Sequence, residues 1–249
     1  MLNEQTFNKL YGMRLSGMAD AYKSQNANPD MLSLSFDERF SMLVESQWLK
    51  QENNAIQKRL KSAKLKIRDA CIENIDWKHQ RGLDRALIMK LAESEWILYK
   101  HNCVITGPTG VGKSFLACAL GQKACREGFK VFYYHAPKLF RELLAARTIG
   151  TMSKILRKIS RLNMLIIDDW GLETVEQSSL YRDFLEIVDE CQQNGSVLLT
   201  SQYPAEEWHR IIGDNTVADA ILDRIIHNSH KIEMKGESMR KLKSNAGGE

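Results

Sequence analysis

Residues 107–114 read Gly-Pro-Thr-Gly-Val-Gly-Lys-Ser, which fits the loop pattern G-x-x-x-x-G-K-[ST]. The apolar residues 103–106 predict a buried strand before this loop, and residues 115–127 predict a helix after it. In such a unit, glycines let backbone N–H groups converge on phosphate oxygens, and the helix N-terminus adds its positive dipole end. A Gly-rich turn with a chance lysine is the alternative, which the agreement of strand, loop and helix disfavours. The pattern therefore predicts an α/β fold with a phosphate-binding loop.

The residue types in this loop predict a site for ATP and Mg²⁺. Lys113 is expected to reach the β- and γ-phosphates, and the Ser114 hydroxyl is expected to ligate the metal ion. The predicted nucleotide-binding residues of the loop are Gly107, Pro108, Thr109, Gly110, Val111, Gly112, Lys113 and Ser114.

A second candidate segment is the apolar run 164–167, which Asp168 and Asp169 follow directly. Such a run is typical of a central parallel strand that is covered on both faces. Because ligands of open α/β sheets bind at the carboxyl ends of strands, Asp168 is expected to hold Mg²⁺. Asp169 is expected to orient or deprotonate the attacking water. An acidic strand end that caps the next turn is the alternative.

Three further positions are candidates for nucleotide contacts. Ser201, with Thr200 as second choice, ends a predicted strand and is expected to touch the γ-phosphate or its attacking water. Arg224 lies on a predicted helix and is expected to reach the γ-phosphate of a neighbouring subunit. Turn chemistry at Ser201 and a surface ion pair of Arg224 remain open as alternatives. Arg240 is a candidate nucleotide contact in cis or part of a basic tail.

The order of predicted elements indicates a domain organisation. From about residue 83 onward, helix and strand patterns alternate, which predicts a five-stranded parallel sheet flanked by helices. The strands are expected at 102–106, 130–134, 164–168, 196–200 and 230–234. Residues 1–70 lack strand patterns and predict a small all-α domain for assembly, partner or DNA contact. An ATPase domain is expected over residues 71–249.

Two local patterns add detail to this organisation. Ser35 and Glu38 have capping-box spacing and predict the start of a helix. The irregular segment 72–82 is a candidate neighbour of the adenine base.

Composition excludes several classes of protein. No stretch of about 18 apolar residues occurs, and the N-terminus has neither a basic nor an apolar leader region, so a cytoplasmic location without a membrane span is expected. The five cysteines include no C-x-x-C pair, and the six histidines have no ligand spacing with them. Reduced structural thiols and no zinc site are therefore expected.

Two basic stretches predict a polyanionic partner such as duplex DNA, although the net charge is only +4. Each stretch carries seven cations against a single glutamate, and a solvated helix face is the alternative for each. The candidate DNA contacts are Lys58 and Arg59 in the first stretch, and Lys154, Arg157, Lys158 and Arg161 in the second.

Taken together, the motifs resemble those of the IstB-type transposition helper ATPases, which belong to the AAA+ class and are close to the DnaC helicase loaders. The resemblance spans nearly the whole chain. Its segments are the phosphate-binding loop, Asp-Asp-Trp-Gly at 168–171, Thr-Ser-Gln at 200–202, Ala-Ile-Leu-Asp-Arg at 220–224, Gly-Glu-Ser-Met-Arg-Lys at 236–241 and Arg-Leu-Ser-Gly-Met-Ala at 14–19.

The resemblance implies an ATPase that forms homo-oligomers on duplex DNA in the bacterial nucleoid and recruits or activates a cognate transposase. It implies a Walker B pair at Asp168 and Asp169, a sensor at Ser201 and an inter-subunit arginine finger at Arg224. The short chain after the last strand implies that the C-terminal helical lid of most AAA+ proteins is missing. Two departures are Cys191, where many relatives have an arginine, and an Asp-Asp pair in place of Asp-Glu, which implies slow hydrolysis.

Three alternatives stay open for the function. A replicative helicase loader would have the same ATPase core. An ATP-gated assembly protein would use ATP as a ligand with negligible turnover. A small-molecule kinase is disfavoured, because no acceptor site is evident and the basic stretches would be unexplained.

Overall fold

The chain divides between Lys58 and Arg59 into two units. The computed structural model describes residues 2–172, 178–239 and 241. No helix in this described part of the chain is long and apolar enough to cross a membrane.

The first unit is helical. It comprises α1 (Leu2–Gly12), α2 (Ser16–Ala27), a 3₁₀ turn (Pro29–Ser33) and most of α3 (Phe36–Ala63), whose last residues from Arg59 belong to the second unit. The Ser35–Glu38 capping box is confirmed: the Ser35 N–H donates to Glu38 Oε2 at 2.8 Å, and the Glu38 N–H donates to Ser35 Oγ at 3.3 Å.

A glycine allows α2 and α3 to approach each other closely. A Cβ atom on Gly17 would lie 2.7 Å from the carbonyl oxygen of Ser46. The buried Gln47 side chain accepts hydrogen bonds from the N–H groups of Gly17 (2.9 Å) and Met18 (3.2 Å). It thereby satisfies N–H groups that the first turn of α2 leaves without helical partners.

One face of α3 stays exposed within this unit. Phe36, Phe40, Val44 and Trp48 recur at every fourth position, and each is about half exposed or more. The rings of Phe36 and Phe40 stack with centroids 5.8 Å apart.

The second unit has a five-stranded sheet in the order β2-β3-β4-β1-β5, in which every neighbouring pair is parallel. The strands are β1 (Asn102–Thr106), β2 (Val131–His135), β3 (Met164–Trp170), β4 (Ser196–Ser201) and β5 (Ser229–Glu233). All five predicted strands are confirmed, with small shifts at their ends.

Helices precede and follow these strands along the chain and flank the sheet. They are α4 (Arg85–Ala92), α5 (Glu95–Leu98), α6 (Lys113–Arg126), α7 (Ala136–Ile149), α8 (Met152–Ile159), α9 (Ser178–Asn194), α10 (Trp208–Ile212) and α11 (Asn215–Ile226). We expected no C-terminal helical lid after β5. Residues 240 and 242–249, on which this expectation depends, lie outside the described part of the chain.

Two apolar cores, one on each face of the sheet, explain why the strand sequences are almost continuously apolar. Ile105 and Ile166 face one core, which contains α4 and α6. Leu165 and Leu199 face the other core, which contains α7, α9 and α11. Successive side chains of a strand point to opposite faces, so a parallel strand covered on both sides needs an apolar residue at nearly every position.

The segment that follows α3 belongs to the second unit because its apolar side chains enter the first of these cores. Ala63, Leu65, Ala70 and Ile72 are all buried there.

Candidate functional site

The phosphate-binding loop connects β1 to α6 at the carboxyl edge of the sheet, and its glycines have conformations that suit only glycine. Gly107 has φ 142° and Gly112 has φ 107°. A Cβ atom on Gly107 would lie 2.2 Å from the carbonyl oxygen of Met234, and one on Gly112 would lie 2.8 Å from Arg81 Nη1. The loop therefore keeps its shape only with glycine at both positions.

Lys113 begins α6, and its ammonium group lies inside the curve of the loop. Its Nζ donates to the carbonyl oxygens of Gly107 at 2.6 Å and Pro108 at 2.8 Å. Burial lowers the pKa of Lys113, and the nearby carboxylates of Asp169 and Asp168 oppose that shift. Loop carbonyls are weak partners for a buried ammonium group, so anionic phosphate oxygens would be stronger ones.

Asp168 is fully buried, and its carboxylate is surrounded by donors from three elements. Oδ1 accepts hydrogen bonds from Ser114 Oγ at 2.9 Å and Thr200 Oγ1 at 2.6 Å. Oδ2 accepts a hydrogen bond from the Tyr133 hydroxyl at 2.5 Å and lies 3.3 Å from Lys66 Nζ. The carboxylate is therefore held in one orientation.

The protonation of Asp168 follows from these partners. Burial by itself would raise the pKa of Asp168, but the hydrogen bonds from Thr200, Tyr133 and Ser114 and the charge of Lys66 outweigh it, so the pKa lies below its usual range. Burial and the same carboxylate raise the pKa of the Tyr133 phenol. Asp168 is thus an anion, and Tyr133 is a neutral donor.

Asp169 differs from its neighbour in backbone and in exposure. The pairing of β3 with β4 is irregular between Ile167 and Trp170, and Asp169 within this irregularity has φ 64°. Its N–H donates to Thr200 Oγ1 at 3.0 Å, and its Oδ2 lies 3.4 Å from Lys66 Nζ and 3.3 Å from His135 Nε2. An irregular strand end of this kind re-aims a side chain, and here the carboxylate lines the cavity.

These groups surround a cavity of about 370 Å³ at the edge of the sheet. Its lining combines loop glycines, cations, polar groups and apolar side chains from five segments of the chain: Lys66, Ile67, Thr109, Gly110, Gly112, Lys113, Ser114, Phe115, Asp169, Leu172, Gln202 and Met239. The size is in the range of small-molecule sites.

The residues after β5 close over the phosphate-binding loop. The Met234 N–H donates to the carbonyl oxygen of Thr106 at 2.7 Å, and the Met239 N–H donates to that of Gly110 at 3.0 Å. Arg240, a predicted nucleotide contact, lies outside the described residues.

The candidate adenine segment lies next to the loop as well. Residues 76–83 line a second cavity of about 350 Å³. Arg81 connects this segment to the loop, because its Nη1 donates to the carbonyl oxygen of Val111 at 3.0 Å.

Ser201 is not among the residues that line the cavity beside the loop. It is fully buried, and its hydroxyl donates to the carbonyl oxygen of Trp170 at 3.0 Å and accepts from the Tyr203 N–H at 3.1 Å. Its neighbours contact the site instead: the Thr200 hydroxyl contacts Asp168, and Gln202 Oε1 accepts from Thr109 Oγ1 at 2.7 Å. The turn chemistry considered as an alternative describes Ser201, because its hydroxyl satisfies backbone groups where β4 ends.

Arg224 lies on α11 and has partners within its own chain. Its guanidinium group forms an ion pair with Asp189 on α9, and its Nη1 donates to the carbonyl oxygen of Ala220 at 3.1 Å. An ion pair of the kind considered as the alternative is therefore present, with Asp189 as the partner. About a third of the Arg224 side chain stays accessible.

The candidate DNA contacts divide into two groups. Lys58, Lys154, Arg157, Lys158 and Arg161 are exposed, whereas Arg59 is partly buried. Lys158 lies over the Phe132 ring, with Nζ 3.2 Å from the ring centroid and 3.2 Å from the Tyr134 hydroxyl. Arg59 Nε donates to the carbonyl oxygen of Cys125 at 2.8 Å. Lys158 and Arg59 thus have partners within the protein itself.

Several residues of the site were not expected from the sequence. Tyr133 and His135 come from β2, whose carboxyl end lies beside that of β3, so the polar end of β2 was a usable signal. Gln202 stands in the Thr-Ser-Gln segment that was already a candidate. Lys66 lies far from the motifs in the sequence, and only the packing of the segment after α3 brings it to the cavity.

The donor set fits Mg²⁺ bound together with a nucleotide. Mg²⁺ prefers hard oxygen ligands and usually keeps several waters, with only one or two protein groups and the phosphates in its shell. The Ser114 hydroxyl and Asp168 Oδ1 lie side by side, 2.9 Å apart, next to the loop. Lys113 and the glycine curve complete a cradle that suits a nucleoside triphosphate.

Solved structures with a similar fold include DnaI, which matches with a TM-score of 0.56 at 22% identity and covers 72% of this chain and 93% of that one. The DnaC helicase loader matches with a TM-score of 0.52 at 18% identity, over 67% of this chain and 97% of that one. DnaA from Aquifex aeolicus bound to AMPPCP matches with a TM-score of 0.56 at 19% identity, over 72% of this chain and 54% of that one. The second unit therefore has the P-loop AAA+ fold.

Sequence relatives cover nearly the whole chain. An insertion sequence ATP-binding protein of Sinorhizobium fredii, y4pL, is 44% identical over 97% of this chain and 98% of its own length. The ATP-binding protein of insertion sequence IS1162 from Pseudomonas fluorescens is 40% identical over 82% of this chain and 88% of its own. Residues 8–246 match the family described as IstB-like ATP binding protein. The chain belongs to this IstB-like family.

Proposed function

We propose that this protein is an ATP-hydrolysing, DNA-binding helper of transposition that oligomerises on duplex DNA and recruits or activates a transposase. The observation that carries the proposal is the convergence of Lys113, Ser114, Asp168 and Asp169 on one cavity, in a chain of the IstB-like family. The relatives are named for insertion sequences, which supports transposition as the process.

Nucleotide binding would use the loop and its two flanking side chains. Lys113 exchanges the loop carbonyls for the β- and γ-phosphate oxygens, and the loop N–H groups contact the same phosphates. Ser114 and Asp168 would hold Mg²⁺, which would supply neutralisation of the phosphate charge. Arg81, which contacts the loop at Val111, steadies the segment 76–83 where the base would lie.

Hydrolysis would depend on Asp169. Its carboxylate lines the cavity and accepts a proton from, or orients, a water whose oxygen attacks the γ-phosphorus in line with the bridging oxygen. The bond between the γ-phosphorus and the bridging oxygen breaks, and the β-phosphate carries the electron pair away with ADP. Gln202 lies on the wall of the cavity, and its amide can accept or donate a hydrogen bond to a group bound there.

Assembly would bring Arg224 of one subunit to the γ-phosphate held by its neighbour. The guanidinium group would then exchange Asp189 for phosphate oxygens, which are stronger bidentate partners. The γ-phosphate thus supplies a contact that exists only between assembled subunits. Hydrolysis removes the γ-phosphate and therefore favours separation of the subunits.

DNA binding would use α8 and Arg161, which follows it. Lys154 and Arg157 are exposed three residues apart on one side of α8, and the exposed Arg161 lies in the turn that follows the helix. The eight residues of α8 contain no acidic side chain. A basic row of this kind suits the phosphate backbone, which is read without regard to base sequence.

The decisive experiment measures steady-state ATP hydrolysis and particle mass with and without long duplex DNA, for the wild type and Lys113→Ala. ATP- and DNA-dependent assembly with stimulated turnover, both lost in Lys113→Ala, is the expected result. A monomer whose ATP hydrolysis does not respond to duplex DNA would contradict the proposal.

A replicative helicase loader is the second candidate, and the fold shared with the DnaC helicase loader favours it. The two functions differ in the partner of the N-terminal helices. Copurification of the full chain with a replicative helicase, together with indifference to duplex DNA, would identify the loader. Capture of a transposase encoded beside the gene would identify the transposition helper.

A further inference from the structure

Lys66 is the feature of the site that neither the motifs nor the proposed chemistry uses. It follows the end of α3 at Ala63, after a turn in which Lys64 has φ 53° and Leu65 is buried in the core. This anchoring directs Lys66 into the cavity, where its Nζ lies 3.3 Å from Asp168 Oδ2 and 3.4 Å from Asp169 Oδ2.

The two lysines that line the cavity contact different groups. Lys113 Nζ donates to carbonyl oxygens of the loop, whereas Lys66 Nζ contacts both carboxylates of the acidic pair. Lys66 is therefore the lysine whose charge lies against both carboxylates, beside His135 at Asp169.

The acidic pair and Lys66 also differ in their freedom to move. The Asp168 side chain is fully buried, and Ser114, Thr200 and Tyr133 hold its two oxygens. The Lys66 side chain is 43% exposed and is attached by a flexible stem. When a second cation needs the same carboxylates, Lys66 is the partner that can leave.

We propose that Lys66 holds the acidic pair in place of Mg²⁺ and moves onto the terminal phosphate of ATP when ATP and Mg²⁺ bind. This inference rests on the proposed function of the site. Lys66 and Mg²⁺ compete for Asp168 and Asp169, so Lys66 weakens binding of Mg²⁺ alone. Lys66 and Lys113 both line the cavity, so the terminal phosphate of ATP can become the new partner of the displaced Lys66 ammonium group. ADP has no such phosphate, and Lys66 therefore favours binding of ATP over ADP.

The first test titrates Mg²⁺ alone into the full chain without nucleotide and follows the melting temperature. Lys66→Met removes the charge and keeps most of the stem. The half-saturating Mg²⁺ concentration should fall by about tenfold, because a competing unit charge next to the carboxylates is gone. Arg68→Met removes an exposed cation from the same segment and should leave the midpoint unchanged. Equal midpoints in Lys66→Met and the wild type would overturn the place-holding role.

The second test compares the affinities of a non-hydrolysable ATP analogue and ADP, each with Mg²⁺. Lys66→Met should lose about fivefold or more of the preference for the ATP analogue, a change expected for one charged contact to phosphate. Lys66→Arg retains the charge and should keep the preference, as should Arg68→Met. An unchanged preference in Lys66→Met would overturn the transfer to the terminal phosphate.

Failure of the inference and failure of the proposed function give different results. A wild type that binds neither nucleotide contradicts the proposed function, while the titration with Mg²⁺ alone still decides the place-holding role. Suppose instead that Lys113→Ala abolishes nucleotide binding, while Lys66→Met changes neither the Mg²⁺ midpoint nor the preference for the ATP analogue. That result would support the proposed function and overturn the inference. If Lys66→Met does not fold, Lys66→Gln and Lys66→Arg form the pair, which differs in charge at similar length.

Discussion

The hydroxyl of Thr200 lies 2.6 Å from Asp168 Oδ1, on the strand next to the one that carries the acidic pair. Thr200 Oγ1 also accepts a hydrogen bond from the backbone N–H of Asp169 at 3.0 Å. One buried hydroxyl thus fixes the carboxylate of the first aspartate and the backbone of the second. Thr200 is therefore a positioning residue for both members of the pair.

Thr200→Val should destabilise the protein and weaken binding of nucleotide with Mg²⁺. The substitution leaves the Asp169 N–H without its acceptor and removes a donor from a buried carboxylate, which costs about 1–3 kcal/mol in free energy of unfolding. Chemical denaturation and nucleotide titration measure the two effects. Thr200→Ser keeps the hydroxyl and serves as the control. A valine variant as stable as the serine variant would remove Thr200 from this role.

Asp169→Asn should lower the rate of ATP hydrolysis by at least about 100-fold, because the amide cannot accept the proton of the attacking water. Asparagine tolerates the left-handed backbone at this position, so folding should persist. Nucleotide affinity should stay near that of the wild type. Single-turnover hydrolysis and equilibrium binding check both expectations. Wild-type turnover in the variant would show that another group acts on the water.

Arg224→Ala should bind ATP normally and yet fail to assemble, with a loss of turnover of about 10³-fold if the residue reaches a neighbouring γ-phosphate. Asp189→Asn should have the opposite effect on assembly, because it frees the guanidinium group from its partner on α9. Light scattering against protein concentration measures both. This partly exposed ion pair contributes at most about 1 kcal/mol to stability, so loss of folding does not account for either result. Assembly of Arg224→Ala at wild-type concentrations would contradict the prediction.

A triple variant should bind duplex DNA more weakly and with a flatter salt dependence than the wild type. It combines Lys154→Ala, Arg157→Ala and Arg161→Ala. The slope of log K against log salt should fall by about 0.9 for each phosphate that the variant no longer neutralises. A control variant with alanine at Arg126, Lys130 and Lys235 removes the same charge from positions elsewhere on the chain. Equal salt slopes in the two variants would count against α8 as the DNA surface. Lys158→Ala is left out because that side chain packs on Phe132.

His230 should make folding stability fall as the pH is lowered through about 6.5. Burial lowers the pKa of His230, and the charges of His101 and Lys90 lower it further, while Glu95 lines the same small cavity. The unfolded chain therefore binds a proton at a higher pH than the folded chain, so stability rises with pH between the two pKa values. His230→Gln should flatten this dependence. Melting temperatures at about pH 5.5 and 7.5 test it, and an unchanged slope would contradict it.

Sequence reasoning located those parts of the site that are local in the chain. The loop residues 107–114 and the pair at Asp168 are each adjacent to a strand whose apolar pattern is strong, so both motif and context were visible. Lys66 and Tyr133 could not be found in this way, because they reach the acidic pair only through packing across 102 and 35 residues of sequence.

The choice between Thr200 and Ser201 shows a finer limit. Both residues are small, hydroxylated and at the end of one strand, so composition does not separate them. Alternation along the strand does, because successive side chains point to opposite faces, but its phase depends on the register with β3. That register is irregular next to Asp169, so the sequence alone did not predict which hydroxyl faces the carboxylate.

The left-handed backbone of Asp169 implies a trade-off between stability and turnover. A conformation of this kind costs about 1–3 kcal/mol in a residue other than glycine. Glycine at this position would relieve the strain and remove the carboxylate at the same time. If Asp169 acts on water as proposed, selection for a more heat-resistant chain would favour loss of that carboxylate, whereas selection for hydrolysis would preserve the strained aspartate.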